Sequence, residues 1–188
     1  MEYIAKLERV VIGWFKNIPH LPSGARRWIG ENVWWLTIIG LVLSGIGAIG
    51  LLLSIAGLAT AMSTTAISYY ASSTFVALAL VNAIVTLVFV VLDCVLLAMA
   101  ITPLKEKQKK GWVLLFMSLL LGAISTVVTA ILTLSPLSFI TSMLFGAIWL
   151  AIGAYLLSEI HGEFAHVERS KGVKEEKSAA SADAVKEK

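Results

Sequence analysis

Long apolar stretches separated by short polar breaks organise this chain. No Asp, Glu, Lys or Arg lies between Glu31 and Asp93, and none between Lys110 and Glu159. A water-facing surface carries charge throughout, so these blocks face lipid or one another. A helix needs about 20 apolar residues to cross a bilayer core, and the segments 33–62, 74–101, 112–134 and 137–158 meet that length. The breaks have physical causes. Ser63–Ser73 is rich in hydroxyl side chains that compete for backbone hydrogen bonds. Pro103 cannot continue a helix, and Ser135-Pro136 makes a short turn. The predicted fold class is all-α, a polytopic membrane protein built as a four-transmembrane-helix bundle over residues 33–160.

Residues 1–32 read as an amphipathic, interfacial N-terminal segment. Tyr3, Ile4, Leu7, Val10, Val11, Trp14, Phe15 and Ile18 recur at helical spacing, interrupted by Glu2, Lys6, Glu8, Arg9 and Lys16. Such a helix lies in the headgroup plane or packs beneath the bundle. Pro19 and Pro22 end it, and Ser23 can cap a short second helix carrying Arg26, Arg27 and Trp28. At the other end, residues 161–188 read as a charged and mostly disordered tail. Ile160, Phe164 and Val167 extend the apolar stripe briefly, and from Ser170 onward Lys, Glu, Ser and Ala dominate.

Composition agrees with a membrane domain: 58% of residues are hydrophobic, 14% are charged, and the mean hydropathy is +0.86. The net charge of +3 and pI near 9.0 do not point to nucleic acid, because the basic residues sit where topology places them. Lys6, Arg9, Lys16, Arg26 and Arg27 precede the first span, Lys105, Lys107, Lys109 and Lys110 fill the middle loop, and Arg169 to Lys188 carry the rest. The Ser63–Ser73 and Ser135-Pro136 breaks have none. The positive-inside rule therefore predicts a multi-pass protein of the cell membrane with both termini cytoplasmic. Trp34, Trp35 and Trp112 mark the interface, and the middle-loop lysines are candidate contacts for anionic lipid. Ala59-Thr60-Ala61 imitates a signal-peptidase site, but the apolar run before it is too long and starts too late. The single cysteine, Cys94, lies inside an apolar run and reads as a packing residue.

Small residues predict how the helices meet, because lipid tails cannot drive apolar helices together. Gly40, Ser44, Gly47, Gly50, Ser54 and Gly57 form a face of the first span; Ser118, Gly122, Ser125, Thr129 and Thr133 form a stripe on the third. Ser142, Gly146 and Gly153 do so less cleanly on the fourth. The expectation is close packing within the bundle.

The second span carries the candidate intramembrane polar site. Ser72, Ala79, Thr86, Asp93 and Ala100 recur at heptad spacing, and Asn82 falls within about 20° of Asp93 on the helical wheel. Asp93 is the one charged residue within the four spans. It lies roughly 15 Å along the helix from Pro103, well inside hydrocarbon. No Lys, Arg or His matches its depth. Counting back from the middle loop puts Asp93 opposite Ser118, Gly122 and Ser125 of an antiparallel third span. The expected arrangement is a neutral carboxyl donating to one of those hydroxyls. The site residues are thus Asp93, Asn82, Thr86, Ser118 and Ser125, in a structural or a proton- or cation-handling role.

Glu159, His161, Glu163 and His166 cluster at the end of the fourth span, but His161 and His166 lie about 140° apart on a helix, so no metal is expected there. No phosphate loop, nucleophile elbow or cofactor fingerprint occurs, so neither an enzyme nor a cofactor is expected.

Two stretches carry a resemblance. Lys109-Lys110-Gly111-Trp112-Val113-Leu114-Leu115-Phe116 opens the third span, and Ile152-Gly153-Ala154-Tyr155-Leu156-Leu157-Ser158-Glu159-Ile160 closes the fourth. With the helix spacing, they resemble a group of four-helix membrane proteins from small-genome bacteria that has no assigned activity. The resemblance implies the same fold and a bacterial cytoplasmic membrane. The expected function is a structural or protein-interaction component of the membrane, with lipids and either a second copy or another membrane protein as partners. The alternative is a small channel or transporter using Asp93.

Overall fold

The computed structural model describes residues 10, 13, 19–63, 73–133 and 136–186, except the side chains of 62, 63, 73, 163 and those from 165 onward. The expected amphipathic helix over 3–18, the Ser63–Ser73 break and Ser135 lie, apart from isolated residues, outside that set. Four helices are described: α1 (Ser23–Ser63), α2 (Ser73–Lys105), α3 (Lys109–Leu132) and α4 (Pro136–Lys186). Each is long and apolar enough to cross a membrane. Among the described residues the regular structure is all helical, with the make-up of a multi-pass membrane protein. Successive helices pack side by side, and α1 meets α4 over a shorter stretch.

Three helix limits differ from expectation. The short helix at Ser23 and the first span are one helix of 41 residues. Nothing between Ser23 and Val33 breaks a helix, and the charges of Arg26, Arg27 and Glu31 mark the water boundary without interrupting the backbone; Arg27 even pairs with Glu31 one turn on, at 3.0 Å. In α2, Pro103 sits inside the helix, in its last turn. The chain stops instead at Lys107, which adopts a left-handed φ of 53°. There the Lys107 N–H donates to Leu104 O at 3.0 Å and the Gln108 N–H donates to Pro103 O at 2.8 Å. This pair of bonds closes the orphan carbonyls of a helix end and places glycine's preferred backbone conformation on a lysine. Finally, α4 is helical to Lys186, through the tail expected to be disordered. Lys, Glu and Ala are good helix formers, and a spanning helix already formed removes the cost of nucleation.

The well-buried core lies at one end of the bundle, which we call the charged end. Val33, Ala100, Leu104, Trp112, Phe116, Leu157, Ile160 and Phe164 form it, drawing on all four helices. Along the spans large apolar side chains point outward, among them Leu43, Leu53, Ile84, Val88, Ile131, Leu144 and Phe145. Water would not tolerate this surface, whereas a bilayer is a solvent for it.

The glycines separate close contacts from open faces. A Cβ on Gly146 would stand 2.3 Å from Thr126 Cγ2, and one on Gly153 would stand 2.6 Å from Leu119 Cδ1. Here α3 and α4 approach closely at the fourth-span glycines as predicted, whereas a Cβ on Gly122 of the third-span stripe would meet nothing within 4 Å. The first-span face is open in the same way: a Cβ at Gly40, Gly47, Gly50 or Gly57 would meet nothing within 4 Å. The expectation of close packing at those glycines is corrected; α1 packs on α2 through other residues.

Candidate functional site

Two polar centres are built into the bundle. The first is the predicted one. The Ser118 hydroxyl of α3 donates to Asp93 Oδ1 of α2. The pairing follows from the hairpin: the turn at Glu106–Gln108 joins antiparallel helices, so residues equally far from it share a depth. Asp93 Oδ2 makes no further hydrogen bond among the described residues.

The other predicted members stand apart from this pair. Thr86 Oγ1 donates to Asn82 O at 2.7 Å, within its own helix. Asn82 Oδ1 is buried without a partner among the described residues. Along α3, Thr126 bonds Gly122 O, Thr129 bonds Ser125 O and Thr133 bonds Thr129 O, at 2.8–2.9 Å. Short hydroxyl side chains in a helix reach the carbonyl one turn back more readily than a neighbouring helix. Two members of the expected stripe, Thr129 and Thr133, are thus spent on their own backbone, and Ser118 is the member that crosses to the carboxylate.

Asp93 and Ser118 lie on the wall of a cavity of about 480 Å³. Its lining is drawn from all four helices, with Val33, Thr37 and Gly40 from α1, Leu97 beside Asp93 from α2, and Gly146, Trp149 and Gly153 from α4. The sequence reading foresaw the carboxylate's partner and not this space. Thr37 adds no polarity to it, because its hydroxyl donates to Val33 O at 2.7 Å.

The second centre was missed. Glu159 of α4 has a side chain only 1% exposed, yet it is a carboxylate at the charged end. Its Oε1 bonds His20 Nδ1 at 2.7 Å, its Oε2 accepts from the Leu21 N–H at 3.2 Å, and the Arg26 Nε lies 3.6 Å away. Nearby, the Tyr155 hydroxyl donates to Pro19 O at 2.9 Å. Pro19 and Pro22 restrict the backbone around them and hold the His20–Leu21 segment non-helical. Beside this knot, Trp112 Nε1 donates to Leu157 O at 2.9 Å, its ring stacks on Phe116 at 5.4 Å, and His161 meets it edge-on at 4.9 Å. His161 therefore packs against an indole, and the described residues contain no group of three metal-binding side chains. The middle-loop lysines stand at this end as expected, and Lys105 Nζ lies 5.7 Å from the Trp34 ring centre. The signal for the knot was depth: Glu159, Arg26 and His20 all fall at the same water boundary, the count that paired Asp93 with Ser118.

Replacing Glu159 by Gln should loosen the N-terminal segment, because an amide cannot serve two acceptor bonds and a guanidinium. A hydrogen bond to a charged group contributes about 1.5–3 kcal/mol. Trypsin cleavage at Arg26 and Arg27 in detergent should then speed up about tenfold. Unchanged cleavage would show that Glu159 does not hold that segment.

Comparison with protein-family models, with curated proteins and with solved structures gives no match to this chain.

Proposed function

We propose that this chain is a non-catalytic integral membrane platform, a structural and protein-interaction component with its charged end in the cytoplasm. The observation that supports it best is where the specific interactions concentrate. The knot around Glu159 and Trp112 ties the N-terminal segment, the start of α3 and α4 into one unit at the charged end. From that unit α4 continues to Lys186. A tied base with a helical arm is suited to holding a partner at the membrane surface. The one-sided Lys and Arg pattern supports the cytoplasmic orientation, and the stretches around Trp112 and Tyr155 support membership in the four-helix group of small-genome bacteria.

A carrier or channel is the second reading, favoured by Asp93 beside the cavity. It is the weaker one. The carboxylate has a hydroxyl partner, and no Lys, Arg, His or second carboxylate shares its depth to take up a proton.

The test is affinity capture of the full chain in mild detergent from its native membrane, alongside a variant ending at Gly162. The platform reading expects one stoichiometric partner that the truncated chain loses. Equal recovery with both chains, or no partner with either, would overturn it. Thiol labelling should find Gln108→Cys reachable only from the cytoplasm.

A further inference from the structure

We propose that the α2–α3 turn and the tryptophans of α1 form a docking site for the phosphate headgroups of anionic phospholipids. The site is separate from any protein partner the platform holds, so lipid binding and partner capture can fail independently. Four lysines, Lys105, Lys107, Lys109 and Lys110, fall within six residues. Membrane topology accounts for lysines on this side of the bilayer. It does not account for how they are held. The nearby carboxylates are engaged elsewhere: Glu159 by His20 and Arg26, and Glu31 by Arg27. Glu106, inside the turn itself, accepts from Gln108. Among the described residues none of the four ammonium groups has a carboxylate partner. Their backbones are fixed as well. A Cβ on Gly111 would stand 2.7 Å from Leu104 N, so the ends of α2 and α3 are pressed together. Lys105 and Lys110, each one residue from that contact, are held across it. Lys107 keeps a left-handed φ of 53°, a conformation that glycine adopts at lower cost. A lysine retained at such a position points to a use for its side chain.

Depth selects the occupant. Lys105 Nζ lies 5.7 Å from the Trp34 ring centre, and Trp34 meets Trp35 edge-on at 5.9 Å. Trp35 is 51% exposed, and Trp28, two helical turns earlier, is 59% exposed. Exposed indoles at the end of a span sit at headgroup level, where one part of the ring is dry and the other wet. The ammonium beside Trp34 is therefore at the height of lipid phosphates. A soluble acidic segment would reach the lysines from the water and leave these indoles untouched. A lipid of the same leaflet, cytoplasmic under the orientation proposed above, meets both, with its phosphate on the lysines and its upper chains along Trp34 and Trp35. An anionic headgroup is favoured because a choline headgroup brings its own cation to the lysines.

The probes are phosphatidylglycerol and phosphatidylcholine with identical acyl chains, titrated into the full chain in neutral detergent and followed by native mass spectrometry. A lysine beside an anionic headgroup contributes about fivefold in affinity. Phosphatidylglycerol should saturate and bind at least about tenfold tighter than phosphatidylcholine. Replacing all four turn lysines by Gln should bring it down to the phosphatidylcholine level. Replacing Lys174, Lys177, Lys186 and Lys188 by Gln removes the same charge from the tail and should leave the preference unchanged. Lys107→Gly separates the site from the fold, and it serves if the four-lysine variant does not fold. It relieves the left-handed backbone, so without lipid it should unfold no earlier than wild type, yet lose about fivefold in phosphatidylglycerol affinity. Equal binding of the two lipids, an equal loss in the tail variant, or full binding by Lys107→Gly would each overturn the assignment. So would displacement of phosphatidylglycerol by equimolar inorganic phosphate or hexaglutamate, which would give the lysines to a soluble anion.

Discussion

Replacing Gly111 by alanine lowers the stability of the bundle by about 3 kcal/mol, the upper part of the range for overpacking a filled site. The added methyl would stand 2.7 Å from Leu104 N and 2.9 Å from Pro103 C. These are backbone atoms, and they belong to the helix end closed by Lys107. A side chain there could rotate away; this backbone can yield only by opening the bonds from Lys107 and Gln108 that end α2. The α2–α3 hairpin would open with it, and the registry of Asp93 on Ser118 would shift. Thermal unfolding in micelles measures the loss. Gly47→Ala is the control: it meets nothing within 4 Å, and the helix propensity of alanine makes it neutral or stabilising by up to about 1 kcal/mol. Equal behaviour of the two variants would refute the close approach at Gly111.

Trp112→Ala is expected to cost about 3–5 kcal/mol, the range for deleting a large aromatic side chain from a packed site. Trp112 is 1% exposed and touches two helices at once, through Phe116 of its own α3 and through His161 and Leu157 O of α4. Its loss leaves a void between α3 and α4 at the charged end. Trp112→Phe separates the contributions: it keeps an aromatic ring against Phe116 and loses the indole N–H, at about 1 kcal/mol. The same unfolding measurement decides. If alanine costs no more than phenylalanine, packing of the indole does not hold the two helices together.

Much of this architecture was legible in the sequence. The charge-free runs from Asn32 to Leu92 and from Gly111 to Ser158 marked the spans, because hydrocarbon tolerates almost no charge. Asp93 and Ser118 could be paired by counting from the middle loop, since helical rise is constant and the hairpin is short. Other features depend on tertiary contacts that a helical pattern does not encode. Glu159 stood out in the sequence only as one of a cluster of Glu and His at the end of the fourth span, and its burial arises when the His20–Leu21 segment folds over α4. The first-span glycines looked like a packing face, but small residues permit close approach without compelling it. Pro103 looked like a helix stop; a proline in a final turn forfeits one hydrogen bond, and the left-handed Lys107 supplies the stop instead. The cavity escaped notice because its lining residues come from helices far apart in sequence, which no local pattern reports.

The role of Asp93 is the claim on which the platform reading stands or falls, and ion flux tests it most directly. Wild type and Asp93→Asn protein are reconstituted into liposomes, and proton and cation flux are followed beside thermal stability. A carboxyl that serves as a hydrogen-bonded anchor predicts flux at the level of protein-free liposomes for both, with the two proteins unfolding within about 1 kcal/mol of each other, the scale of an interhelical hydrogen bond. Conduction by wild type, lost in a well-folded Asp93→Asn, would contradict it and make the carboxylate the working group of a transport pathway.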